Sequence, residues 1–191
     1  MKKLIIVGGA NGSGKTTFSK EITIQNNLEF LNADEIEREL REQSKDNDSK
    51  ILSAGKEFFR RLDSFLNKGE SFVLESTLLG SYLKKVIQKA ISFNYHIQIV
   101  YVFLESPKDC IQRVKLRVKL GGHNVPREDI VRRFYRSKNN FWKEYKNMAD
   151  DWNVIYNSAT NPREVMIGNK EEYIVESEKL FNLFMEDIEH K

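Results

Sequence analysis

Gly9-Ala10-Asn11-Gly12-Ser13-Gly14-Lys15-Thr16 sets glycines, a lysine and a hydroxyl at the spacing G-x-x-x-x-G-K-[ST], and each residue type has a use in holding phosphate. Gly12 and Gly14 permit a turn whose N–H groups point inward, and the N-terminus of the next helix adds to the same anion site. Lys15 can reach the β- and γ-phosphates of a nucleoside triphosphate, and the Thr16 hydroxyl suits Mg²⁺. An apolar run, Leu4–Val7, precedes the motif and an amphipathic segment follows it. That context separates it from a chance Gly-rich turn. Gly9, Asn11, Gly12, Ser13, Gly14, Lys15, Thr16 and Thr17 form the candidate nucleotide-binding set. ATP and Mg²⁺ are the expected cofactors, with Thr16 as metal ligand. The motif alone does not separate a kinase from a hydrolase or a switch.

Two further segments end in carboxylates where ligands collect in open α/β sheets. Asp34 lies just past the short expected strand Glu29–Asn32. It could accept a proton from an attacking hydroxyl, cap the helix beginning at Glu35, or hold a Mg²⁺-bound water. Phe72-Val73-Leu74-Glu75 is an apolar run closing on Glu75, with Ser76 and Thr77 beside it. These groups could hold a polar substrate or a Mg²⁺ water; alternatively the hydroxyls satisfy a strand-end turn. Glu105 and Ser106 read instead as the start of a helix.

Charge supplies a fourth piece. The chain of 191 residues carries a formal +3, yet Arg113 to Lys146 holds eleven Lys/Arg against three Asp/Glu, a local +8. Such a segment suits an anionic ligand. Arg113 and Arg117 lie four apart on one helix face, Gly121-Gly122-His123 reads as a flexible turn, and Arg132, Arg133 and Arg136 ride on the next helix. A Gly-hinged pair of helices carrying arginines is what a closing lid needs. The competing reading is a solvated charged face, and His123 by itself reads as a loop histidine.

The elements that must position these groups alternate. Strands are expected at Leu4–Val7, Glu29–Asn32, Ser71–Leu74, Ile97–Leu104 and Trp152–Tyr156. Helices are expected at Lys15–Asn26, Glu35–Glu42, Lys50–Asn67, Tyr82–Ser92, from Pro107, and Pro126–Met148, with a polar loop at Gln43–Ser49. Ser106-Pro107-Lys108-Asp109 is a capping box with proline in the first turn. Alternation implies a doubly wound α/β fold, a five-stranded parallel sheet flanked by helices. Residues 1–160 form its core, with the basic helical lid at 107–148. Residues 161–191 form an extension of the same domain: a hairpin, Val165–Ile167 with Tyr173–Val175, then a helix over Glu176–Glu189. The N-terminal apolar run is too short for a signal peptide and reads as the first strand. No stretch approaches a membrane span. One cysteine, Cys110, on an apolar helix face, excludes an internal disulfide and fits core packing in a cytoplasmic protein.

Taken together, Gly-Ala-Asn-Gly-Ser-Gly-Lys-Thr-Thr (9–17), Leu-Asn-Ala-Asp (31–34), Leu-Glu-Ser-Thr (74–77) and Gly-Gly-His-Asn-Val-Pro (121–126), with Arg132-Arg133-Phe134 and Arg136-Ser137, resemble the zeta-toxin-like family of P-loop kinases, in particular its shorter predicted-ATPase branch. The resemblance covers roughly residues 4–157. It implies the P-loop NTPase fold and phosphorylation of a UDP-N-acetyl sugar hydroxyl, with Asp34 as base, Glu75 and Thr77 on the substrate, and lid arginines on the phosphates. It also implies a small antitoxin protein that blocks the nucleotide site. The chain departs from the larger toxins in being shorter, with Gly-Gly-His where they carry an Arg-bearing segment.

The expected active constellation is Lys15, Asp34, Arg133 and Arg136 for catalysis, Arg117 with the loop on the nucleotide, and Asp34, Glu75, Ser76, Thr77 and His123 on the acceptor. Two rivals stand beside this kinase. One is a polynucleotide end kinase or repair ATPase gripping a strand with the basic segment, Phe134, Tyr135, Phe141 and Trp142 stacking bases, although their helical spacing fits core packing better. The other is a non-catalytic ATP-binding module whose ordered lid is read by a partner.

Overall fold

The computed structural model describes residues 1–43, 48–158 and 161–189. Strand β1 (Lys3–Gly8) enters the Gly-rich loop and α1 (Lys15–Asn26) leaves it. Then follow β2 (Glu29–Leu31), α2 (Ala33–Gln43), α3 (Asp48–Lys68), β3 (Phe72–Ser76), α4 (Tyr82–Ser92) and β4 (His96–Phe103). The second half comprises α5 (Pro107–Lys119), α6 (Arg127–Lys143), β5 (Asp151–Tyr156), β6 (Arg163–Asn169), β7 (Tyr173–Val175) and α7 (Glu178–Glu189). The strands order β2-β3-β1-β4-β5-β6-β7. The first five pair in parallel, with Leu31 opposite Leu74 and Val7 opposite both Glu75 and Val100. Their carboxyl ends therefore share one edge, which carries the Gly-rich loop, Asp34 and Glu75.

The expected five-stranded parallel sheet is present, and the sheet is larger. The C-terminal hairpin does not stand apart. β6 pairs antiparallel with β5 from Asp151↔Asn169 to Tyr156↔Arg163, which makes seven strands. The physical reason is Trp152: its ring is buried and its Nε1 donates to Asn169 O at 3.0 Å, so β6 is needed to cover it. Helix α7 then lays Phe184 against Tyr101, Phe103 and Phe141. It is held by an ion pair between Asp187 and Lys138, whose ammonium lies among the rings of Phe103, Phe134 and Phe184. Removing one partner of such a buried pair costs about 3–5 kcal/mol.

Most of the core lies on one sheet face, where Leu4, Ile6, Phe72, Leu74, Ile99 and Tyr101 meet α3, α4, α6 and α7. The opposite face, Ile5, Val7, Val73, Val100 and Val102, is packed by Phe18 and Ile22 of α1. Most strand and helix ends move by one or two residues, and three helical boundaries change more of the chain. α2 begins at Ala33 rather than Glu35, and α6 stops at Lys143 before a 3-10 turn, Tyr145–Met148. The expected loop at Gln43–Ser49 lies partly outside the described residues, at 44–47, and α3 begins within it at Asp48. The capping box is formed: Ser106 Oγ accepts from Asp109 N while Asp109 Oδ2 accepts from Ser106 N. Cys110 is fully buried, and burial pushes its thiol up to about 12. Among the described residues no helix is long and apolar enough to cross a membrane.

Candidate active site

The Gly-rich loop is built by close approach. Gly14 sits at φ +99°, and a Cβ there would meet Asn157 Nδ2 at 2.4 Å; at Gly9, φ +147°, it would meet Val102 O at 2.3 Å. Only glycine fits such backbone at no steric cost. The loop is buttressed from just beyond β5, where Asn157 Nδ2 donates to Ser13 O at 2.8 Å. From α5, Arg113 Nη2 donates to Asn157 O at 2.5 Å. Ser13 is fully buried with its Oγ unpartnered.

Lys15 is buried behind this turn, and its Nζ donates to Ala10 O at 2.9 Å. Its nearest carboxylate oxygen is Glu75 Oε1 at 3.9 Å, beyond hydrogen-bond distance. Burial depresses the Lys15 ammonium below its ordinary 10.5, against the attraction of Glu75 and Asp34. Burial likewise raises the Glu75 carboxyl, against the pull of Lys15 and the Thr16 hydroxyl. Both charges are thus incompletely compensated within the chain, the condition in which an incoming phosphate and its counter-ion gain most.

The sign of the Glu75 shift makes a prediction. From 4.5 up to its raised value the folded protein holds a proton that the unfolded chain has lost. Stability therefore falls as pH rises across that window. Glu75→Gln should lack this slope, so its stability relative to the wild type grows from pH 4 towards neutrality in urea unfolding. Parallel pH curves for the two proteins would contradict the assignment.

Asn32 removes one of the three readings of Asp34, that of helix cap. Its Oδ1 accepts from Asp34 N at 2.8 Å and Glu35 N at 3.4 Å, so Asn32 is the cap of α2. Its Nδ2 donates to Glu75 Oε2 at 2.8 Å. Such a cap is worth about 1 kcal/mol. Asp34 is therefore not the capping residue. It sits in the first turn, exposed, its carboxylate without a hydrogen-bond partner among the described residues. At β3, Ser76 Oγ accepts from Leu78 N at 3.1 Å, serving the strand-end turn while still lining the cleft with Thr77.

The resulting cleft, about 450 Å³, is lined by the loop, Asp34, Glu75, Thr77, Tyr82, and the guanidinium groups of Arg113, Arg117 and Arg133. Arg133 donates to Asn11 Oδ1 at 3.3 Å and is steadied by Asp129. Arg117 is clipped in place rather than left on a loose hinge. Its Nη2 donates to His123 O at 2.8 Å, Gly122 N donates to Arg117 O at 2.9 Å, and a Cβ at Gly122 would strike Arg117 Cγ at 2.5 Å. The pair α5–α6 is seated by Cys110, Val114, Ile130 and Phe134 under Ala10. Asn140 and Tyr145 hold the loop after β3 through the carbonyls of Leu78 and Gly80.

Arg136 is not in this cleft. It lies about one helical turn beyond Arg133 and about 60° around the axis, lining a separate groove with Arg127, Arg132 and Tyr135. This placement gives no support to the catalytic role expected of Arg136. Arg136→Ala is expected to leave nucleotide affinity and turnover within about twofold of wild type, as measured by steady-state kinetics. A loss like that from Arg117→Ala would restore it to the site. His123 lines a cavity on the outer flank of Asp34, and its contact with the site is through its carbonyl. The residues that sequence reasoning did not place here are Asn32, Tyr82 and Asn157, while Arg113, expected on the lid, lines the cleft with Arg117. Asn32 carried a signal, an Asn before a helix; Asn157 carried none.

A Mg²⁺ fits the oxygen donors at the cleft floor, the Thr16 hydroxyl with Glu75 accepting from it at 3.2 Å. Among the described residues no group of three or more His, Cys, Asp or Glu gathers to cage a metal.

A family model described as an AAA domain, AAA_33, matches residues 4–136. A Haemophilus influenzae protein described as uncharacterized is 27% identical over 134 residues, 70% of this chain and 92% of that one. Among solved structures, a chain of the AvrRxo1-ORF1:AvrRxo1-ORF2 complex with ATP superposes with TM-score 0.72 at 16% identity, covering 95% of this chain and 63% of that one. A chain of the PezAT toxin–antitoxin system of Streptococcus pneumoniae gives TM-score 0.61 at 18% identity, covering 85% and 72%. At such identities the likeness is one of fold, and the present chain spans less than two thirds of the AvrRxo1 chain.

Proposed function

The chain belongs to the AAA_33 family of AAA domains and has the fold of the zeta-toxin-like P-loop kinases, and from this we propose that it is an ATP-dependent phosphotransferase acting on an alcohol hydroxyl. The observation that carries the reading is Asp34. Asn32 relieves it of capping, and it faces the cleft that holds Lys15, Arg113, Arg117 and Arg133. A carboxylate beside an open acceptor space can take the proton of an acceptor hydroxyl as that oxygen attacks.

In the proposed reaction the loop N–H groups and Lys15 hold the β- and γ-phosphates of ATP. Asp34 orients the acceptor hydroxyl and takes its proton. The acceptor oxygen bonds to the γ-phosphorus as the bond to the β,γ-bridging oxygen breaks, and ADP leaves with that electron pair. Lys15, Arg117 and Arg133 stabilise the charge spread over the equatorial oxygens. When bound at Thr16 with Glu75 behind it, Mg²⁺ would supply further charge neutralisation on the phosphates. Positioning supplies most of the rate.

The acceptor we propose is a UDP-N-acetyl sugar. The Asn-Ala-Asp, Glu-Ser-Thr and Gly-Gly-His-x-Val-Pro segments support it. We further propose a small protein partner that covers the nucleotide site, because both structural relatives come from two-component assemblies, one of them a toxin–antitoxin system. A cytoplasmic setting goes with both proposals. The test is ATP consumption with UDP-N-acetylglucosamine, UDP-glucose, nucleosides and oligonucleotide 5′ ends, with Asp34→Asn as control. Mg²⁺-dependent labelling of the sugar nucleotide, lost in the variant, supports the reading. Labelling of oligonucleotide ends alone would replace it with an end kinase, and ATP binding without turnover on any acceptor would leave a binding module.

A further inference from the structure

Helix α6 carries Arg133 into the cleft, and the same helix is gripped on another side by the C-terminal helix. Lys138 lies further along α6, about 140° round its axis from Arg133, and is 1% exposed. Its ammonium pairs with Asp187 of α7 and sits 4.8–5.1 Å from the ring centroids of Phe103, Phe134 and Phe184. Asn139 Nδ2 donates to Asp187 O at 3.3 Å, so Asp187 holds α6 through both its carboxylate and its carbonyl. One turn back along α6, Phe134 packs with Cys110 and Val114 under Ala10 of the Gly-rich loop. Its neighbour Arg133 donates to Asn11 Oδ1 of the same loop. An unbroken line of contacts thus runs from α7 through Lys138 and Phe134 to the turn that places Arg133. Ser137 and Asn140 tie α6 separately to β4 and to the loop after β3.

Stability alone does not call for a charge here. Replacing a buried ion pair by well-packed apolar residues of similar volume is often neutral or stabilising. Burial also pulls the Lys138 ammonium below its ordinary 10.5, against the attraction of Asp187. What the pair adds is direction. An ammonium and a carboxylate must meet within hydrogen-bond reach, whereas apolar helix faces have alternative ridge-and-groove fits. A slip of one residue would swing Arg133 about 100° round the axis and move it about 1.5 Å along it. Misplacement by about 1 Å is enough to cost on the order of 10²-fold in rate.

We infer that Lys138 and Asp187 are positioning residues: their pair fixes the register of α6 against α7 and so holds Arg133 where the γ-phosphate of ATP binds. The inference rests on the phosphotransferase reading, which assigns Arg133 to that phosphate. Both partners lie beyond residue 136, where the match to the family model ends. The C-terminal extension is then part of the nucleotide machinery as well as a cover for the sheet.

The experiment compares the affinities of ADP and of AMPPNP, a non-hydrolysable triphosphate that carries the γ-phosphate, by calorimetry with Mg²⁺, beside the thermal midpoint. Arg133→Ala should lower the preference for AMPPNP over ADP about tenfold, the scale of one charge-assisted hydrogen bond. Lys138→Met combined with Asp187→Leu removes both charges and keeps apolar volume, so α7 should stay docked. This double variant should lose the same preference while ADP affinity and the midpoint stay near wild type. Adding Arg133→Ala to it should cause no further loss, because the two changes act on one contact. Asp187→Glu keeps the carboxylate at a position whose side chain is 23% exposed and should retain the preference. A double variant with the wild-type preference, a further full loss on adding Arg133→Ala, or a lowered midpoint with equal losses for ADP and AMPPNP would each overturn the assignment. Wild-type protein that binds neither nucleotide, or Arg133→Ala with its preference intact, would instead count against the phosphotransferase reading and its use of Arg133.

Discussion

Asp34→Asn should bind ATP as the wild type does and turn over about 10²–10⁴-fold more slowly, the usual size of a lost acid–base contribution. The substitution is nearly isosteric, and the fold does not need the carboxylate. The cap of α2 is Asn32, and Asp34 takes part in it through its backbone N–H alone. The local hydrogen bonds therefore survive, and the thermal midpoint should move little. An amide at this position can still touch the acceptor hydroxyl but cannot take its proton. The loss should accordingly appear in kcat, with a smaller change in KM for the acceptor. The check is steady-state kinetics on whichever acceptor the panel identifies, beside a direct ATP titration. Turnover within about threefold of wild type would remove Asp34 as the base and leave Glu75 as the next carboxylate in the cleft.

Lys15→Met should lose nucleotide affinity and reduce turnover on the order of 10³-fold, the scale of a buried donor removed from a developing anion. It should at the same time leave the unliganded protein as stable as the wild type or more so. The reason is the direction of the Lys15 shift. Burial disfavours the ammonium more than Glu75 and Asp34 favour it. A buried charge whose net shift is downward costs the fold more through burial than its attraction to Glu75 and Asp34 returns, so an apolar side chain of similar length relieves that cost. Between its lowered value and the ordinary 10.5, the unfolded chain binds a proton at Lys15 that the folded one has lost. Wild-type stability therefore gains with rising pH across that window, and the variant lacks the gain. Thermal unfolding without nucleotide at neutral and alkaline pH, with an ATP titration, measures all three. Retained ATP affinity would defeat the phosphate-cradle argument, and a strongly lowered midpoint would show that Lys15 supports the fold itself. An active-site group that destabilises the empty protein is the expected form of a stability–activity compromise.

Much of this site was legible in the sequence because its determinants are local. The eight residues of the Gly-rich loop specify their own turn through backbone freedom and spacing, and the capping box at Ser106–Asp109 closes within four residues. The alternation of apolar runs and amphipathic segments orders the parallel strands, which by itself carries Asp34 and Glu75 to the same edge as the loop. The aromatic series Phe134, Phe141 and Trp142 reads as core from its helical spacing, and those rings do pack against Tyr135, Tyr101 and Trp152.

Tertiary structure decided what depends on partners distant in the chain. Arg133 and Arg136 are three residues apart and equally basic; which of them meets Asn11, 122 residues away from Arg133, follows from how α6 seats on Phe134 and Ile130. Asn157 supports the loop across 144 residues, and nothing in its own neighbourhood marks it. The hairpin became two strands of the main sheet because Trp152 required a cover on β5. Asp34 was released from capping by a hydrogen bond to Asn32 that local sequence also allowed to Asp34. The sequence by itself thus determined the loop, the order of the elements and the sheet edge at which chemistry can occur, since backbone sterics and hydrophobic periodicity act over a few residues. The choice among equivalent arginines and the supports of the loop belonged to the tertiary structure, because each is settled by the contact of side chains that only the packed core brings together.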